Sequence, residues 1–138
     1  MKKYEPIDHT ADMGIRVWGK TKRELFENAA EGMFSLIADK KTVEEKKRIK
    51  FSLNAPDLRE LFISWLRELL YRYSAKGLVF RKFMIKKLED TKIVAEAIGE
   101  KFSLKKHGFK NDLKAVTYHD LDIKKTKSGW QAQVIFDV

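Results

Sequence analysis

The chain has 138 residues, 43% of them hydrophobic, which suffices for one domain over 1–138 with a real core and is too short for two. No apolar run approaches the ~20 residues of a membrane span, and Met1-Lys2-Lys3-Tyr4-Glu5 leads into polar residues rather than a signal-peptide core, so a cytoplasmic protein with no membrane partner is expected. The absence of Cys excludes disulfides, thiolate catalysis and cysteine zinc sites, while a formal net charge of +9 favours an anionic partner, nucleic acid or an acidic protein face. A charged fraction of 36%, rich in Lys and Glu, is also the composition of heat-adapted proteins.

The first organised stretch is Asp8-His9-Thr10-Ala11-Asp12, which gathers two carboxylates, an imidazole and a hydroxyl just before an apolar segment. Met13 to Gly19 then sets Ile15 and Val17 against Arg16 and Trp18 between two glycines, the period of a half-buried strand. Thr21 with Glu24 forms a capping box. The helix it opens carries Leu25, Phe26, Ala29, Ala30, Met33, Phe34 and Ile37 on one stripe, which is core rather than a cofactor box. The mixed charge run Lys40 to Arg48, a solvated face, leads into Ile49-Lys50-Phe51-Ser52-Leu53, a second strand. Asp57 and Glu60 cap a long helix through Leu61, Trp65, Leu69 and Tyr73, and Gly77 past Lys76 supplies its left-handed stop, with Leu78 as the accompanying apolar contact.

Beyond Gly77 the period changes to two. Residues 78–88 and 92–100 predict a hairpin around Glu89-Asp90, and further strands follow at Ala115–Tyr118 and Gln131–Asp137, with turn chemistry at Lys127-Ser128-Gly129. The order βαβα followed by several strands predicts an α+β domain, two amphipathic helices packed on one face of a largely antiparallel sheet.

Three features could carry chemistry. Asp12 near one end and Asp137 beside the terminal carboxylate of Val138 at the other would converge if the fold joins the termini. Such a cluster needs a proton or a cation to neutralise it, and an all-oxygen set suits a hard divalent ion. Asp-containing turns and solvated terminal acids are the structural alternative. The histidines lack zinc spacing: His9 with Asp12, and His119 beside Asp120 and Asp122, read as surface or hydrogen-bonded residues. Lys105-Lys106-His107-Gly108-Phe109-Lys110, with Phe102 nearby, could grip phosphates or single-stranded RNA, or be a solvated turn. No Walker loop, nucleophile elbow or dinucleotide fingerprint is present, so the residues describe a binding module before an enzyme.

Taken in order, Asp8-His9-Thr10-Ala11-Asp12, Trp18-Gly19, Asp57-Leu58, Gly99-Glu100, Phe102-Ser103-Leu104, Lys106-His107, Lys114-Ala115-Val116-Thr117-Tyr118 and Asp137-Val138 resemble the archease family along the whole chain. The resemblance implies a non-catalytic accessory protein that activates an RtcB-type tRNA-splicing ligase, promoting its guanylylation and multiple turnover and broadening the nucleotides it accepts. It implies a metal site at Asp12, Asp137 and the Val138 carboxylate, holding calcium in isolation, with magnesium or manganese as alternatives in the working complex. On that picture His9, Lys106, His107 and Lys114 would handle the partner or its nucleotide. It also leaves open a chaperone-like or RNA-binding protein that modulates an RNA methyltransferase, with tRNA as a further partner.

Overall fold

The computed structural model describes residues 2–8, 12–108 and 110–138. The chain runs β1 (Tyr4–Asp8), β2 (Met13–Gly19), α1 (Lys22–Ser35), a 3-10 turn (Lys40–Thr42), β3 (Lys47–Asn54), α2 (Leu58–Lys76), β4 (Leu78–Glu89), β5 (Lys92–Lys101), α3 (Leu104–His107), β6 (Ala115–Thr126) and β7 (Gly129–Asp137). All strand pairings are antiparallel. The α+β class is therefore as expected, with one more strand than the pattern showed: Tyr4–Asp8 contains Pro6 and polar positions, and it forms an edge strand paired with β2.

The strands form two sheets rather than one. Four strands lie in the order β1-β2-β7-β6 and three in the order β3-β5-β4. Each helix touches both sheets. From α1, Phe34 packs edge-on to Phe80 of β4 while Gly32 admits Ile15 of β2 and Tyr4 of β1. From α2, Trp65 meets Phe51 of β3 and Phe83 of β4, and Arg67 reaches the Val116 carbonyl of β6. The physical reason lies in the width of the apolar sectors: α2 buries Ile63 as well as Leu61, Phe62, Trp65, Leu66 and Leu69, more than one sheet can cover. The helices meet through Phe26 and Phe62, ring centroids 5.2 Å apart, and the Trp65 indole N–H is satisfied by the Phe26 carbonyl at 3.0 Å.

Local signals hold at the helix ends. Thr21 Oγ1 accepts from the Glu24 N–H at 3.1 Å, and Asp57 Oδ1 accepts from the Glu60 N–H at 2.9 Å. Gly77 closes α2 at φ 67°, a conformation that costs a side chain-bearing residue energy, and donates to the Tyr73 carbonyl. The expected hairpin of β4 and β5 forms, turning at Asp90-Thr91, one residue past the expected Glu89-Asp90.

Candidate functional site

Strand register positions the acidic residues. Met13 of β2 pairs with Phe136 of β7. Asp12 lies one residue before that pair, in the bend that leads into β2, and Asp137 one residue after it as the last residue of β7, so both acids sit at the end of the β2–β7 ladder. Side chains alternate along a strand, and Ile15, Val17, Val134 and Phe136 are buried toward the helices. Asp137 is therefore on the outer face of the four-stranded sheet, and Asp12 adjoins that end. Further along that face Arg16 bridges Glu5 at 3.4 Å and the Gln133 side-chain oxygen at 3.1 Å, so the sheet exterior is a polar ladder. Ile135 lies over Gly14, where an added Cβ would meet its Cδ1 at 2.6 Å.

The same sheet end gathers the other chain ends. Ala115 of β6 pairs with Asp137, and the Lys114 N–H donates to the Asp137 carbonyl at 2.8 Å. Val138 follows, 47% exposed. Asp8, opposite Met13, ends β1 close by. Asp12, Asp137, Val138 and the Lys114 backbone thus lie at the same end of the sheet. His9 lies outside the described residues, as do Thr10, Ala11 and Phe109. Among the described residues no group of three or more His, Cys, Asp or Glu side chains is gathered to hold a metal ion. Two carboxylates at one sheet end with the last residue beside them are nevertheless hard oxygen donors of the kind calcium or magnesium takes. The donor chemistry fits, with a third ligand needed beyond the two side chains.

Lys106 and His107 belong to a different cluster. Ser103 caps α3, and the imidazole folds back: Nδ1 accepts from the Ser103 N–H at 2.9 Å, and Nε2 lies 3.0 Å from Glu100 Oε2. An acceptor Nδ1 places the proton on Nε2, which donates to the carboxylate. The ring is buried and stacked at a tilt on Phe102, centroids 5.6 Å apart. The surface reading of His107, whether phosphate grip or solvated turn, is corrected: both nitrogens are consumed inside the protein. Lys106 donates to Glu100 at 2.9 Å and pairs with Glu44 at 3.1 Å. Glu100 was not singled out chemically, although a carboxylate at the tail of an apolar strand, six and seven residues before a Lys and a His, is a readable signal. His119, by contrast, is an exposed residue 3.4 Å from Asp120, as its spacing implied.

Burial alone would raise the Glu100 pKa. The Glu44 N–H, His107 and Lys106 outweigh it and hold the carboxyl down to about 2. A permanently ionised, fully hydrogen-bonded carboxylate is a structural clasp joining β5, α3 and the segment before β3.

Comparisons with known proteins agree along the full chain. The model of the Archease protein family (MTH1598/TM1083) matches residues 4–138. The protein archease of Methanosarcina barkeri is 43% identical, covering 99% of this chain and 97% of that one, and its Pyrococcus furiosus counterpart is 40% identical over 100% of both. Among solved structures, Methanobacterium thermoautotrophicum protein 1598 is similar with a TM-score of 0.76 at 31% identity, covering 100% of each chain. A Thermotoga maritima protein described as an archease and possible chaperone shares the fold, with a TM-score of 0.65 at 19% identity over 97% of this chain and 96% of that one.

Proposed function

This chain belongs to the archease family, and from that premise we propose that it is an accessory protein that activates an RtcB-type tRNA-splicing ligase, promoting guanylylation and multiple turnover and broadening nucleotide use. The observation that supports this reading is the Met13–Phe136 pairing, which brings Asp12 and Asp137 to the same sheet end. On this proposal Asp12, Asp137 and the Val138 carboxylate hold a divalent cation, calcium in isolation and magnesium or manganese in the working complex. When bound, such an ion supplies charge neutralisation for a triphosphate and its leaving group. The residues of this chain do the rest. Asp12 and Asp137 present their oxygens on an exposed edge that a partner's cleft can receive, and Lys114 is held at that sheet end through its backbone bond to Asp137. No reaction of its own is assigned to the chain.

Single-turnover guanylylation of a cognate ligase, with wild-type protein and with Asp137→Ala, tests the proposal. Acceleration by wild type and none by a folded Asp137→Ala is the expected result. Equal acceleration by both would exclude the carboxylate end. A chaperone-like role is the second reading, favoured by the description of the Thermotoga relative and by the exposed Leu104, 63% accessible. It predicts that ligase recovery after heating improves equally with either variant, without faster single turnovers.

A further inference from the structure

The edge strand β6 departs from its ladder in one place. Pairing with β7 stops at Thr117 and resumes at Asp122, although the partner advances only from Ile135 to Gln133. Residues 118–121 are pushed outward, and Asp120 takes φ 52°, the positive φ of a non-glycine residue among those described. A bulge of this size on an edge strand blocks strand addition and re-aims a side chain. The re-aimed side chain is Tyr118. It is 41% exposed, its hydroxyl donates to Glu60 Oε2 at 2.6 Å, and the Arg67 and Arg59 guanidiniums lie 4.8 and 5.7 Å from its ring centroid.

The same face of α2 continues the pattern. Arg67 is fixed by two N–H groups on the Val116 carbonyl at 3.3 and 3.2 Å, and one turn on stands Tyr71, 50% exposed. From Arg59 to Tyr71 the strip runs about 18 Å along the helix. Between α2 and the start of β6 lies a groove of about 280 Å³ lined by Arg67, Tyr71, Ser74 and Lys114. It adjoins a second groove of about 350 Å³ that shares Ser74 and Lys114 and has Phe102 and the acidic Asp112 in its wall, so the phosphate path runs along the first groove. Arg72, on another side of the helix, is neutralised by Glu68 at 3.3 Å. Among the described residues Arg59, Arg67 and Lys114 have no such carboxylate, and Glu60 is taken by the tyrosine hydroxyl.

We propose that this strip, Arg59, Arg67, Tyr71, Lys114 and Tyr118, is a binding surface for single-stranded RNA. Cations along a groove follow a phosphate backbone, and the exposed Tyr71 ring offers a platform on which an unpaired base stacks, while Tyr118, with the guanidiniums over its ring, positions Arg59 and Arg67. A duplex hides its base faces and gains nothing from such a platform. The Ser74 hydroxyl between the two grooves offers the donor and acceptor that a ribose 2′-OH uses, which favours RNA over DNA. Neither Asp12 nor Asp137 belongs to the surface; Lys114 alone is shared with the ligase reading, so the strip is tested at Arg59 and Tyr71, which that reading does not use.

Fluorescence anisotropy of a labelled 12-nucleotide RNA of mixed sequence, read against the same sequence as DNA and as RNA duplex, tests the surface. Wild type should bind the single-stranded RNA tightest. Tyr71→Ala, at an exposed position, should weaken binding about 5-fold or more while leaving the melting curve in place. Arg59→Ala should reduce the slope of log affinity against log salt by about 0.7, whereas Lys47→Ala, an exposed cation on the other sheet, should leave it unchanged. Equal losses from Arg59→Ala and Lys47→Ala would mean diffuse attraction by the net charge and overturn the surface. So would no RNA binding at low salt, unaltered affinity in Tyr71→Ala, or equal affinity for DNA or duplex. Full RNA affinity in Arg59→Ala and Tyr71→Ala together with lost ligase stimulation would give the strip to a protein partner instead.

Discussion

At Glu100 a carboxylate that burial alone would protonate is kept ionised by three donors at 2.7, 2.9 and 3.0 Å. Its folded pKa of about 2 lies below the ordinary 4.5, so its stabilisation is complete above about pH 4.5 and is lost as pH falls toward 2. Glu100→Gln removes this titration. The expected outcome is a lower melting temperature near neutral pH and a shallower fall of melting temperature between about pH 4.5 and 2 than wild type shows; parallel curves would count against the assignment. His107, buried with both ring nitrogens hydrogen-bonded, acts by orientation and packing. Asp137 differs in kind: it is exposed at the sheet end that Asp12 adjoins, a position suited to a ligand or a partner rather than to a clasp.

Among the elements, α2 is the longer of the two helices that pack on both sheets, and its two ends are fixed by single residues. Asp57→Ala removes the N-cap acceptor and should cost about 1 kcal/mol. Gly77→Ala places a Cβ at φ 67° and should cost about 1–2 kcal/mol. The two positions bracket a helix of 19 residues, about 28 Å long. Urea unfolding of the double variant should therefore give the sum of the single losses to within about 0.5 kcal/mol; a clear excess would mean that the helix frays as a unit. β6 is the contrasting element. Its bulge gives up ladder bonds between Thr117 and Asp122, and the ordered contacts of Tyr118 with Glu60 and Arg67 are where α2 and β6 are rejoined.

For the whole molecule, the four-stranded sheet draws the N-terminal hairpin and the C-terminal strand into adjacent positions, β2 beside β7. A cation held by Asp12, Asp137 and the Val138 carboxylate would bind the folded state alone and raise its stability, by about 2.7 kcal/mol at a hundred times the Kd. Calcium titration followed by calorimetry should show the melting temperature climbing with calcium for wild type. The climb should vanish in Asp137→Ala and weaken sharply when one glycine is appended after Val138, which moves the carboxylate away. A calcium-dependent rise that survives both changes would place the ion elsewhere.

The sequence by itself determined the local structure: both helix caps, the stop at Gly77, the hairpin over 78–100 and the α+β class, because each rests on residues a few positions apart. The motifs also carried the family, and the acids at the two ends were named as a pair. What required the tertiary structure was every relation between distant segments. Periodicity tells a helix that it is buried but not how many sheets bury it, so the division into two sheets was invisible. The strand at Tyr4–Asp8 exists because β2 offers it an edge, not because five residues with a proline favour extension. His107 looked exposed in its basic run and is buried, since its hydrogen-bond partner Glu100 belongs to another element. Tyr118, one aromatic in an alternating strand, meets Arg59, Arg67 and Glu60 through a bulge that only the pairing with β7 reveals.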